Sequence, residues 1–288
     1  MVVAVGPANA YNTDQTGWDY ESHCGRTLEF RGADQVEAVM QSKNAMTHSC
    51  TYQPFVSADG KMLRMAVLIL KESGNEFGPS VKTSLFPAPN LRLFASKSGK
   101  LTKDIMVQTF NVFFESPQVG EFSLLLMDHW SGYRDYDTIM STIPEGKHMS
   151  YRLIPEGTTP LAQPLDFFGF RSVKAMRKIV NDRIIMDLPE FIIFQRNNVI
   201  RVVSLIHNQL CSPRFESLWR YAWRKIGYVP LEVEEFPTPV DFCFSKEQYG
   251  TRCQELCDGF SFIKCAWCKK LLCLKHFLDY HFCEQYIP

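Results

Sequence analysis

Short apolar runs separated by polar turns make up most of the first two-thirds of the chain. Residues 10–13, AYNT, have the character of a short strand. Residues 51–70, TYQPFVSADGKMLRMAVLIL, hold two β-rich runs around Ala58-Asp59-Gly60-Lys61. Asp-Gly between such runs predicts a hairpin. Residues 74–101 scatter Gly, Pro and Ser and read as loop-rich. From Thr102 to Phe114 the apolar positions Ile105, Met106, Phe110 and Phe113 recur at helical spacing behind a Thr cap. Phe122–Met127, FSLLLM, is continuously apolar, as a strand covered on both faces would be. Met149–Ile154 predicts another strand, closed by Pro155, and Phe167–Ile185 a helix. Residues 189–227 are helical in pattern, and 229–241, VPLEVEEFPTPVD, read as a linker with three prolines and a run of acids. This order predicts an α/β domain whose mixed sheet, flanked by helices, begins with the antiparallel pair. A helical segment and a small C-terminal module follow.

Composition changes this picture little. The 288 residues are 45% hydrophobic, 22% charged and 13% aromatic, which excludes disorder as the main character. No apolar run approaches the ~20 residues needed to span a bilayer, so no membrane partner is expected. Met1–Ala10 lacks a basic stretch, so a secretory signal is not expected either. Net charge is zero, but its distribution is uneven. Arg171–Lys225 carries 11 basic and 4 acidic residues, whereas Leu231–Pro288 carries 6 basic and 9 acidic. A polyanion surface and a set of solvated helix faces both account for that excess.

The cysteines divide the chain as well. Cys24, Cys50, Cys211 and Cys243 are scattered, and six more lie after residue 250 with His276 and His281 among them. Without a secretory signal, this clustering reads as zinc rather than as a disulfide framework. The pairs are Cys253-x3-Cys257, Cys265-x2-Cys268, Cys273-x2-His276 and His281-x-Cys283, eight ligands within 31 residues. In a cross-brace, Cys253, Cys257, Cys273 and His276 bind one Zn²⁺ and Cys265, Cys268, His281 and Cys283 a second. A single zinc at the second set is the alternative. Metal would then supply folding energy to a module with little core of its own.

Three aspartates sit where an open α/β sheet gathers chemistry. Asp14 follows AYNT, Asp128 ends the most apolar strand, and Asp166 opens a helix. Strand C-termini and helix N-termini face one edge of such a sheet. Carboxylates collected there repel unless cations share the site. Mg²⁺ or Mn²⁺ ions about 4 Å apart would suit phosphodiester chemistry. Spacing alone also allows a turn at Asp14, a strand end at Asp128 and an N-cap at Asp166.

The blocks around these aspartates carry a resemblance. Residues 12–17, NTDQTG, then 124–128, LLLMD, then 154–166, IPEGTTPLAQPLD, are similar to the three signature blocks of the DDE superfamily endonuclease domain of pogo/Tigger-like transposases, within the Tc1/mariner superfamily. The resemblance covers roughly residues 9–185. It implies an RNase H-like fold that cuts and joins DNA with two divalent metal ions, and a nuclear setting. It implies that Asp14, Asp128 and Asp166 are the catalytic metal ligands and that Thr158, Thr159 and Gln163 shape the loop beside them. His129 and Trp130 depart from the family's Asn and small residue after the second aspartate. The helix-turn-helix DNA reader that precedes such domains is expected to be absent, because the chain begins a dozen residues before Asp14. Specific recognition of transposon ends is then not expected.

Arg171, Lys174, Arg177 and Lys178 share one helix face beside Asp166, where a phosphate backbone would lie. Farther on, Arg214, Arg220, Arg224 and Lys225 interleave with Phe215, Trp219, Tyr221 and Trp223, which serve either base stacking or a core. The tail is similar in style to the cysteine-rich C-terminal modules of some transposases, notably piggyBac-like ones. The expected organisation is an endonuclease domain over 1–186, a helical extension over 187–228, a linker over 229–250 and a zinc module over 251–288. DNA is the expected partner, with a protein partner or a second copy of the chain at the zinc tail. The alternative is a catalytically silent, domesticated module that binds DNA or chromatin proteins. A zinc-dependent adaptor such as a ubiquitin ligase is a third reading, suggested by the cross-brace order.

Overall fold

The computed structural model describes residues 2–21, 40–42, 49–230, 232 and 234–287. Cys24, Leu231 and Val233 lie outside the described residues, as do the side chains of Thr159 and Pro160. After a short helix α1 (Val2–Val5), two antiparallel ribbons organise the first half of the chain. One consists of β1 (Ala10–Thr13) and β2 (Thr16–Asp19), the other of β3 (Ser49–Gln53) and β4 (Phe55–Ser57). β1 pairs with β4, Thr13 opposite Phe55, and β2 with β3, Thr16 opposite Tyr52. Between these pairs the ladder breaks at Asp14-Gln15 on one ribbon and at Pro54 on the other. Proline has no N–H to give to a ladder, and the Pro54 carbonyl instead accepts from the Thr13 hydroxyl at 2.9 Å. The break divides the strands into two four-stranded sheets, β4-β1-β7-β8 and β2-β3-β5-β6, where the sequence reading expected one.

The predicted hairpin takes a two-tier form. β5 (Ala66–Lys71) pairs antiparallel with β3, Thr51 opposite Ile69, while β4 leaves that sheet to pair with β1. The Asp59-Gly60 turn closes the upper tier through the Val56–Met62 bridge. β5 alternates strictly: Ala66, Leu68 and Leu70 face one hydrophobic cluster, and Val67 and Ile69 face another. The region expected to be loop-rich contains helix α2 (Pro79–Ser84) and strand β6 (Leu91–Ser96), which runs parallel to β5.

Helix α3 (Lys103–Glu115) is capped by the Thr102 hydroxyl, which accepts from the Ile105 N–H at 3.3 Å. It buries Ile105, Met106, Phe110 and Phe113 against Tyr11, Phe55, Val67 and Ile69. β7 (Phe122–Met127) lies parallel to β1 and, after helix α4 (Tyr136–Met140), to β8 (His148–Leu153). Leu124 and Leu126 face one cluster, Leu125 and Met127 the other, so β7 is covered on both sides. Helix α5 (Thr159–Ala162) and one π-turn over Leu165–Gly169 lead into α6 (Phe170–Asp187). α7 (Arg196–Leu210) and α8 (Glu216–Lys225) follow.

The acidic, proline-rich segment ends in helix α9 (Pro239–Cys243), which starts on Pro239 behind a Thr238–Asp241 capping box. Proline at the first helical position costs no hydrogen bond, so a run that reads as linker can nucleate a helix. β9 (Ile263–Lys264), β10 (Leu271–Leu272) and α10 (Leu274–Leu278) close the chain. Ile263, Ala266, Leu272, Leu274 and Phe277 join the same cluster as Tyr52, Leu68, Met176 and Ile206. The C-terminal module therefore shares the main core. No helix among the described residues is long and apolar enough to cross a membrane.

Candidate metal and nucleic-acid site

The three aspartates meet at the break between the sheets. Asp14 sits in the β1–β2 break and is 6% exposed. Asp128 follows the last residue of β7, and Asp166 lies in the π-turn ahead of α6. Burial pushes the Asp14 carboxyl well above the usual carboxylate range. The charges of Asp166 and Asp128 push the same way, against a hydrogen bond from the Gln15 N–H. Asp14 and Asp166 lie close enough that each carboxyl bears on the ionisation of the other. Burial also raises Asp128, opposed by the backbone N–H of Trp130, and raises Asp166, opposed by Asp14 and by the Lys174 charge. Like charges gathered around one buried carboxylate mark a place where a cation would be favourable.

The surroundings fit a hydrated cation. Asp128 Oδ1 is buried without a hydrogen-bond partner, as is Gln53 Oε1. The Tyr133 hydroxyl accepts from Gln15 Nε2 at 3.0 Å and from Gln53 Nε2 at 3.2 Å. Burial, then the Asp128 charge, raise Tyr133 beyond the normal phenol range, so it stays protonated. Both of its lone pairs are occupied, which leaves the hydroxyl only its proton to give. Gln15, Gln53 and Tyr133 were not singled out by the sequence. Gln15 lies inside the first signature block, but nothing in the spacing marks Tyr133 or Gln53.

Trp130 does not crowd the carboxylates. Its ring lies over Gly132, where an added Cβ would fall 2.0 Å from it, and packs edge-on to Tyr133 at 5.1 Å. His129 turns toward Arg134, 3.3 Å away, and Glu156, 3.8 Å away. Gln163 is wholly buried, with neither side-chain polar atom hydrogen-bonded in the structure.

The basic helix face divides. Arg171, Lys174 and Lys178 are exposed on α6. Arg177 is 3% exposed and turns inward, which corrects its expected role at a phosphate backbone. It pairs with Asp19 at 2.7 Å and lies over the Trp18 ring at 5.5 Å. Its position, three residues past Lys174 and six past Arg171, carries it round to the sheet side of the helix. Of the two readings of the interleaved aromatics, the core is the one found for Phe215, Trp219 and Trp223, which are at most 1% exposed.

The cysteines and histidines assemble as the cross-brace requires. Cys253, Cys257, Cys273 and His276 form one group, and Cys265, Cys268, His281 and Cys283 the other. In each, all four ligand atoms lie within 4.8 Å of one another, and among the described residues no other group of three or more His, Cys, Asp or Glu, the aspartate trio included, is drawn as close. In the first, His276 Nδ1 lies 3.3, 3.5 and 3.4 Å from the sulfurs of Cys253, Cys257 and Cys273. Cys257 and Cys273 sulfurs are 3.9 Å apart. A tetrahedron with arms of about 2.0–2.3 Å has edges of about 3.5–3.8 Å, so the quartet fits a four-coordinate metal ion. Gly259 leaves the room: a Cβ there would lie 3.1 Å from Cys273 Cβ and 3.4 Å from two of the sulfurs. Burial raises the Cys253 thiol, but hydrogen bonds led by the Cys273 N–H outweigh it and bring the pKa down to about 7. In the second group Cys268 Sγ lies 3.5 Å from His281 Nε2, and burial keeps His281 neutral, the form that ligates.

Residues 223–283 match the family model of the Tc5 transposase C-terminal domain. No curated protein matches the chain. Among solved structures, the chain is similar to those of the Mos1 strand transfer complex and of a pre-cleavage Mos1 transpososome. Both likenesses have 9% identity and a TM-score of 0.36 over 78% of this chain, a level that does not establish a shared fold. The chain spans 56% and 57% of the length of those two chains. Through its C-terminal segment, which holds both Cys/His quartets, this chain is transposase-like.

Proposed function

We propose that this chain is a transposase-derived DDE endonuclease on an RNase H-like framework, acting on DNA in the nucleus. The observation that carries the reading is the convergence of Asp14, from the β1–β2 break, Asp128, from the end of β7, and Asp166, from the turn ahead of α6, on one site where the charges of the other two raise the buried Asp14. These residues would hold Mg²⁺ or Mn²⁺. When bound, two such ions supply an activated water or DNA 3′-hydroxyl and neutralise the leaving oxygen. Arg171, Lys174 and Lys178 would grip the phosphate backbone as it reaches Asp166. Tyr133, fixed by Gln15 and Gln53, would give its hydroxyl proton to what the aspartates hold and so orient it. Zinc at the two Cys/His quartets would close their coordination shells and stabilise the module without taking part in the reaction.

A nicking assay on supercoiled DNA with Mn²⁺ tests this. Asp128→Asn is expected to abolish nicking while leaving the thermal midpoint at or above that of the wild type. Equal activity in that variant removes the aspartates from catalysis. DNA binding with no nicking in the wild type identifies the silent binding module instead.

A further inference from the structure

Asn12 lies in the middle of β1, wholly buried, in a sheet whose neighbouring positions are apolar: Ala10, Leu124, Leu126 and Ile154. A leucine would fill that space at lower desolvation cost, so the carboxamide calls for a reason. Its hydrogen bonds supply one. Nδ2 donates to the Leu126 carbonyl at 3.1 Å, with a longer 3.5 Å contact to the Thr13 carbonyl. Oδ1 accepts from the Leu165 N–H at 3.1 Å. Leu126 stands two residues before Asp128, and Leu165 one residue before Asp166. Asn12 itself stands two residues before Asp14. One side chain therefore joins the three segments that deliver the three carboxylates.

The ladder does not do this. β1 and β7 are hydrogen-bonded as parallel neighbours, but the π-turn that carries Asp166 belongs to no strand. The Leu165 N–H lies at the start of that turn, where helical geometry offers it no carbonyl. Asn12 Oδ1 takes that place across 153 residues of chain. The site needs a donor on one side and an acceptor on the other, and the Asn12 carboxamide supplies both in one planar group.

We propose that Asn12 is a positioning residue that sets the distance of Asp166 from Asp14 and Asp128, and with it the cation affinity of the site. The proposal rests on the endonuclease reading of the aspartates. Asn12→Leu keeps the volume and removes both hydrogen bonds, and Asn12→Ala removes them with less bulk. Mn²⁺ is titrated into zinc-loaded full-length protein with a short DNA duplex present, and bound Mn²⁺ is read by electron paramagnetic resonance alongside thermal unfolding. The expected result is that Asn12→Leu still unfolds cooperatively, at a lowered midpoint because the Leu165 N–H is left unpaired, and in its folded form binds Mn²⁺ about tenfold more weakly or worse, with an altered spectrum. Asn12→Ala should show the same loss, and it decides the matter should the leucine variant fail to fold. Wild-type affinity and spectrum in a folded Asn12 variant overturn the proposal and leave the aspartate reading intact. Absence of Mn²⁺ binding in the wild type overturns both, and is told apart because the wild type itself fails.

Discussion

Gln209 and Ala266 hold the C-terminal module to the body of the protein. Gln209 Oε1 accepts the Ala266 N–H at 2.6 Å, and its Nε2 reaches Cys265 Sγ at 3.7 Å. Ala266 lies inside the Cys265-x2-Cys268 turn, so a metal ligand loop is clamped to the end of α7. Ser212, Arg214 and the Trp267–Asn208 bond at 2.7 Å complete the clamp. The metal quartets are thereby built into the core and do not hang from a tether.

Metal content follows from the two quartets. Full-length protein should carry two zinc equivalents, and Cys257→Ser and Cys268→Ser should each carry one, read by elemental analysis. Because Ile263, Leu272 and Phe277 share the main core, chelation should lower the midpoint of a single unfolding transition. A separate early melting of the tail would contradict the shared core. Gln209→Leu leaves the Ala266 N–H buried and unpaired and should cost roughly 1–3 kcal/mol in denaturant unfolding.

The aspartate site makes the metal-free protein sensitive to pH. Folding raises the Asp14, Asp128 and Asp166 carboxyls above their ordinary value of 3.8. The folded state then binds more protons than the unfolded chain above that pH. Stability present at acid pH is lost as pH rises through the folded values. Without divalent cations, the thermal midpoint should fall from mildly acidic to neutral pH. Asp14→Asn should flatten that slope and raise the neutral midpoint by a few degrees. Mn²⁺ should restore the wild type and leave the variant unchanged.

Much of this site is legible in the sequence because its residues lie at element ends. FSLLLM before Asp128 is a strand on apolar pattern alone, and AYNT before Asp14 has the character of a short strand. The Cys and His spacings give both quartets, because Cys-x2-Cys can reach one ion from a single turn. The parallel strand β6 is not legible, since LRLFAS lies between turn residues and its partner β5 is chosen by tertiary packing. Pro239 reads as linker but opens a helix. Gln53 and Tyr133 are invisible for another reason: they meet by a hydrogen bond across 80 residues of chain, beyond the reach of any local pattern. Asn12 bonds across more than 100 residues, a distance at which pattern carries no signal.

The division of the α6 basic residues gives a final test. Arg171, Lys174 and Lys178 are exposed, while Arg177 is held by Asp19 and Trp18. Exposed lysines that touch phosphates contribute through counterion release, so their loss should show in the salt dependence of DNA binding. Lys174→Ala and Lys178→Ala should each weaken binding to unrelated duplexes alike. Each should also reduce the slope of log K against log salt by about 0.9, with unchanged thermal midpoints. Arg177→Ala should do the reverse. Its guanidinium is buried but Asp19 remains half-exposed, so the cost should be about 1–3 kcal/mol of stability, below that of a fully buried pair. The folded fraction of that variant should keep the wild-type salt slope. A reduced slope in Arg177→Ala, with full stability, would return Arg177 to the phosphate face and contradict its inward packing.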